Sequence, residues 1–188
     1  MAGATTVRIG IELPIRNHDA VFVSTDDVGT PGALNVHVLE QLGLGKSVLS
    51  DQREVLREHG YAVFEHGQTL VVFIVTVSLA PTAVSLTQNL QSALKSIAVR
   101  SEGRSVNRVW LPLMGTGAGR MEFAESARLS VSGLIQAFYE FGLRFDQLDL
   151  SVGRPADGRT LDDLTAVLTH QVRESGLDWK IEAVSLSP

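Results

Sequence analysis

A chain of 188 residues, 44% hydrophobic and 20% charged, is long enough to bury one good core and too short for two, so a single domain over 1–188 is expected. Zero cysteines exclude disulfides, thiolate metal sites and cysteine nucleophiles, and suit a reducing cytoplasm. A formal net charge of -5 without a Lys/Arg cluster excludes a polynucleotide track, which needs several basic groups on one face, but leaves room for one small anion held by backbone N–H groups. The longest apolar stretch, 70–80, falls short of the ~20 residues a membrane helix requires, and the amino terminus lacks a basic-then-apolar signal pattern.

Segments 7–13 (VRIGIEL) and 20–25 (AVFVST) are rich in β-formers and separated by the turn-like PIRNHD, which predicts two strands. Leu34, Val38, Leu39 and Leu42 then adopt helical spacing, and a polar helix-like stretch follows over 47–59, with a break near Gly43 and Gly45. Strands over 61–65 and 70–78 flank His66-Gly67-Gln68-Thr69, a connection short enough for a hairpin. The second of them, LVVFIVTVS, reads as fully buried. Leu86, Leu90, Leu94 and Ile97 predict a helix over 83–100 ending at Ser101-Glu102-Gly103. A strand over 106–114, a helix over 121–141, a strand over 145–152, a helix over 161–175 and a last strand over 179–186 complete the chain. This alternation predicts an α/β domain with a largely parallel sheet covered on both faces and a ligand at the carboxyl ends of its strands.

The segment 109–120, VWLPLMGTGAGR, puts Gly115-Thr116-Gly117-Ala118-Gly119 between a buried strand and a helix, where exposed N–H groups converge on an anion. Alternate glycines let a phosphate approach the backbone without meeting a Cβ. Two commoner nucleotide motifs fail. A G-x-G-x-x-G starting at Gly115 would need glycine where Arg120 stands, and Gly45-Lys46-Ser47 would need its first glycine at Glu40, with a helix rather than a strand before it. A second loop, 26–33 (DDVGTPGA), again lies between a strand and a helix. Parallel topology places both loops at one sheet edge, so they could close over a diphosphate from opposite sides.

Across roughly residues 7 to 170 these features resemble the macrodomain family, the ADP-ribose-binding modules. LPLMGTGAGR looks like the family's second diphosphate loop, Asp19-Ala20-Val21-Phe22-Val23 resembles its DAIVN strand, and 29–34 is similar to its first glycine loop. Glu12 falls where the family has the aspartate that hydrogen-bonds the adenine amino group. The resemblance implies a three-layer α/β/α macrodomain-like fold with a mixed, largely parallel central sheet, the strand over 179–186 being extra to that core. Two departures stand out. The asparagine pair of the family's NAAN would fall on Val23 and Asp26, and its run of three glycines is thinned to Gly29 and Gly32 around Thr30 and Pro31.

The resemblance implies a ligand set of Glu12, Gly29, Thr30, Gly32, Ala33, Gly115, Thr116, Gly117, Ala118, Gly119, Arg120 and Arg154, with no cofactor. Thr116 can donate its hydroxyl to a phosphate; Arg120 either pairs with the ligand or lies on the surface beside Glu122; Arg154 stands at the sheet edge that would cover the ligand. The histidines at 18, 37, 59, 66 and 170 have no metal-ligand spacing, and no metal is expected. Trp110 and Trp179 fall in predicted strands, where core is the expectation. The expected function is a binding module for ADP-ribose or a related NAD-derived adenine nucleotide, a sensor of a modified ADP-ribose signal, fused to or associated with an effector domain. Two alternatives remain open: an ADP-ribosyl hydrolase in which Asp26 or Asp27 orients water, and an interaction domain with a degenerate pocket.

Overall fold

The computed structural model describes residues 5–30, 32–77, 85–100, 105–117 and 119–185. Seven strands form one sheet in the order β3-β4-β2-β5-β6-β1-β7: β1 (Thr6–Ile11), β2 (Ala20–Asp26), β3 (Tyr61–His66), β4 (Thr69–Val77), β5 (Arg108–Pro112), β6 (Gln147–Val152) and β7 (Lys180–Val184). Every neighbouring pair is parallel except β3–β4, the hairpin turning at Gly67, where φ is +60°. The fold is therefore α/β, with the mixed and largely parallel sheet the sequence predicts. Among the described residues no helix is long and apolar enough to cross a membrane.

Helices cover the sheet unequally. On one face α4 (Leu86–Arg100), α5 (Phe123–Glu140) and α6 (Gly158–Glu174) bury Leu90, Leu94, Val131, Leu134, Leu164 and Leu168 against alternate strand residues such as Ile9, Phe22 and Leu150. On the other, α1 (Ala33–Gln41), α2 (Ser47–Asp51) and α3 (Arg53–His59) pack Val38, Leu39, Leu49 and Leu56 over Val21, Val23, Val71 and Phe73. The break between α1 and α2 falls at Gly43 and Gly45, and α3 stops at Gly60, whose left-handed φ of +74° lets its N–H return to the Leu56 carbonyl. Asp157 caps α6 through a reciprocal box with Thr160.

The loop from β1 to β2 carries no helix and crosses the second face on its own side-chain contacts. Trp110, buried on β5, donates its Nε1–H to the Leu13 carbonyl at 2.9 Å, and the Leu13 N–H donates to Ser151 Oγ at 3.0 Å. Some elements are shorter than their sequence signals. β5 spans 108–112 rather than 106–114, and α5 begins at Phe123, three residues after the glycine loop. Trp179 is buried just ahead of β7 instead of within it. The expected strand end at Ser78, helix start at Ala83, helix stop over 101–103 and strand end at Leu186 lie outside the described residues.

Candidate functional site

The sheet opens at one seam. β2 and β5 are paired only at Ala20 with Val109 and Val21 with Trp110, whereas β2 follows β4 through Asp26. After β2 the chain enters helices on one face, and after β5 it enters a helix on the other, so the two strand ends feed loops that diverge. Ligands of open α/β sheets lodge at such a point. Here it holds a cleft of about 800 Å³.

One wall is the loop after β2. The Asp26 carboxylate organises it: Oδ1 accepts the N–H of Val28 at 3.0 Å and of Thr30 at 2.7 Å, and the Asp26 carbonyl accepts the Gly29 N–H. Gly29 sits at φ +83° against the Leu49 backbone, where a Cβ would come within 2.9 Å of the carbonyl oxygen, and Arg53 Nε donates to the Val28 carbonyl. The N–H groups of Val28, Gly29 and Thr30 are thus consumed within the loop. The first turn of α1, which begins with Gly32 as an extended N-cap and has no side-chain cap, presents N–H groups to the cleft.

The facing wall is the loop after β5. Gly115 adopts φ +79°, the Met121 N–H returns to its carbonyl at 2.9 Å, and the Arg120 N–H bonds the Gly117 carbonyl at 3.0 Å. Gly119 packs so tightly that a Cβ would lie 2.6 Å from the Gly115 oxygen, while a Cβ at Gly117 would meet nothing within 4 Å. Among the described residues, no acceptor takes the N–H of Thr116, Gly117 or Gly119. These groups and the α1 N-terminus are positive partial charges on opposite sides of one cleft, suited to a small multivalent anion. The Thr116 hydroxyl donates to the Leu113 carbonyl at 2.9 Å, so it braces this turn. Ser126 does the same from α5, donating to the Met114 carbonyl at 2.7 Å.

The rim lies at the far end of the sheet. Glu12, at the exit of β1, has a left-handed φ of 49° and receives Arg154 Nε at 3.3 Å across the cleft mouth. Both side chains are exposed, 45% and 77%, so the ion pair is water-screened and can exchange partners at little cost.

Of the residues singled out in the sequence, Glu12, Asp26, Thr30, Gly32, Ala33, Gly115, Thr116, Gly117, Gly119 and Arg154 line this cleft. Gly29, Asp27 and Arg120 are not among its lining residues, and Ala118 lies outside the described residues. Gly29 instead packs on α2, and Arg120 is exposed with φ 53°. Val23 is fully buried beneath α1 and presents nothing to the cleft. Sequence reasoning missed Ser24, Leu34, Asn35 and Phe123, all of which line it. The signal for Asn35 was its place at i-3 and i-4 from Val38 and Leu39, a polar residue on a buried stripe.

No protein-family model matches the sequence, and no curated protein matches it. Solved structures do. An Oceanobacillus iheyensis macrodomain with MES bound superposes with a TM-score of 0.61 at 12% identity, over 88% of this chain and 92% of that one. A Trypanosoma brucei macrodomain in complex with ADP-ribose superposes at 0.52 with 13% identity, over 82% of this chain and 63% of the other. Thermosipho africanus DarTG in complex with ADP-ribose gives 0.50 at 18% identity, over 71% and 38%. By these likenesses the chain has the macrodomain fold.

Proposed function

We propose that this cleft binds ADP-ribose or a related NAD-derived adenine nucleotide, with the diphosphate between the two loops. One observation carries the reading: the N–H groups of Thr116, Gly117 and Gly119, which no acceptor takes among the described residues, stand across the cleft from the uncapped first turn of α1, at the seam where β2 leaves β5. Glu12 lies three strand spacings from β2, ~14 Å along the sheet edge. It is suited to accept from an exocyclic amino group at that end, and Arg154 to lie over a base plane. Two of the superposing structures hold ADP-ribose, which supports the same ligand.

Binding is proposed rather than hydrolysis. Asp26, the acid nearest the far ribose, has one carboxylate oxygen committed to two loop N–H groups, and Asp27 does not line the cleft. A sensor of modified ADP-ribose coupled to an effector domain is the biological form of this proposal. Calorimetry with ADP-ribose, ADP, AMP and NAD tests it: saturable binding of ADP-ribose is expected, and no heat from any of the four at millimolar concentration overturns it.

A further inference from the structure

β7 ends the sheet, and its hydrogen bonds show which of its backbone groups are already spent. It pairs with β1 alone, with α6 packed over one face. The Lys180 N–H donates to the Thr5 carbonyl at 2.9 Å, so the N–H and C=O groups of Lys180, Glu182 and Val184 point toward β1. Alternation along the strand turns those of Ile181 and Ala183 outward, where no strand among the described residues meets them. Exposed edges are commonly blunted with charge, above all with lysine. β7 carries two charges of opposite sign instead. Lys180 and Glu182, ion-paired along the strand and 70% and 38% exposed, project from the face that α6 leaves uncovered. Ile181 projects from the other face, where it packs against the core beneath α6.

We infer that β7 is a self-complementary interface: two copies of this chain pair their β7 strands antiparallel about a twofold axis at Ile181, joining two sheets into one. Charge selects the register. With the axis at Ile181, the two Ile181 residues exchange N–H and C=O groups across it, and the outward groups of Ala183 reach the partner's backbone at position 179. Lys180 then lies directly opposite the partner's Glu182, and Glu182 opposite the partner's Lys180, with Cβ atoms ~5 Å apart. An axis at Glu182 would set two carboxylates face to face, and one at Ala183 would face Glu182 with the partner's Val184. Both charges are exposed, so they choose the register more than they add strength, which comes from the backbone bonds and the Ile181 contact. The axis reverses strand direction, so the two clefts open at opposite ends of the joined sheet. β2 lies four strand spacings from β7, which separates the clefts laterally by ~40 Å and makes the dimer bivalent.

Sedimentation equilibrium of the full chain over a concentration series tests this. A reversible dimer is expected, with a Kd of roughly 10–100 μM. Ala183→Pro deletes an outward N–H and keeps the bonds to β1, since proline is tolerated where an edge N–H faces solvent, and it is expected to weaken the dimer at least about tenfold. Lys180→Glu and Glu182→Lys each oppose like charges and should do the same. Both exchanges together restore the opposition and should return the Kd to within about threefold of wild type. A wild type that stays monomeric up to millimolar concentration overturns the inference. So does a dimer that Ala183→Pro leaves intact, or one that the double exchange fails to restore. Should Ala183→Pro fail to fold, the charge series decides alone, because Lys180 and Glu182 are exposed and their exchange should barely move the melting temperature. Ligand affinity is no part of this readout, so the binding reading stands or falls separately.

Discussion

His18 and Asp149, 131 residues apart in sequence, share a buried hydrogen bond of 3.0 Å between Nε2 and Oδ2. The proton is placed by a third group. Nδ1 accepts the Arg16 N–H, so the neutral ring carries its hydrogen on Nε2 and donates it to the carboxylate. Asp149 also accepts from Gln147 Nε2 at 2.8 Å, with Arg8 Nη1 at 3.6 Å. The network fastens the loop that presents Glu12. Replacing Asp149 with Ala strands these donors inside the protein and is expected to lower stability by ~3 kcal/mol or more. Urea denaturation would show it as a lower midpoint at constant slope, and an unchanged midpoint would contradict this account.

Glycines 117 and 119 stand two residues apart but should behave differently. A side chain at Gly117 enters open space, so Gly117→Val is expected to melt within a few degrees of wild type and yet lose ADP-ribose binding. At Gly119 a Cβ collides with the Gly115 carbonyl, and Gly119→Val should lose both stability and binding. Paired thermal melts and calorimetry distinguish the two. Undiminished affinity in Gly117→Val would remove this loop from the site.

Glu12 tests the base-reading end. Its ion pair with Arg154 is exposed, so Glu12→Ala should leave the melting temperature nearly unchanged. Affinity for ADP-ribose is expected to fall roughly tenfold, and the preference for adenine over a guanine or uracil counterpart to shrink. Equal base preference in wild type and variant would place the adenine elsewhere.

Asp157 gives the fold an acid-sensitive element. Hydrogen bonds from the Thr160 backbone and hydroxyl hold its carboxyl below the ordinary value of 3.8, with a smaller contribution from Arg159. Folding therefore favours the ionised form. Its contribution is present above the ordinary value and lost as pH falls through the depressed one. Asp157→Ala should be less stable than wild type at neutral pH, with the gap closing under acid. A gap that stays constant to the lowest pH at which the protein folds would mean that the cap does not act through its charge.

Much of the fold was legible because its signals are local. LVVFIVTV, apolar on both faces, could only be an interior strand, and Gly43 with Gly45 interrupted a helical spacing that resumes at Ser47. Both loops that wall the cleft were visible as strand, glycine, helix. The contribution of α1 to its lining was not. Asn35 was passed over because its neighbour Leu34 completed the apolar spacing, and only the departure of β2 from β5 shows why a polar residue occupies that buried stripe. Likewise Arg120 extends the glycine motif in sequence, but after Gly119 the chain turns it away from the cleft wall. His18 with Asp149, and Trp110 with Leu13, are meetings across the sheet that no spacing rule anticipates.

The seam between β2 and β5 also has a root. Asp19, at the opposite end of β2 from the cleft, gives its N–H to the Arg108 carbonyl, takes the Leu70 N–H on its own carbonyl, and accepts the N–H groups of Asn107 and Arg108 on Oδ2 at 2.8 and 2.9 Å. Three strands are riveted at one residue, ~20 Å from the gap they frame. The cleft is thus a fork whose tines are splayed at the tip and clamped at the handle. The strands are held together at the end opposite the cleft and stand apart where it opens.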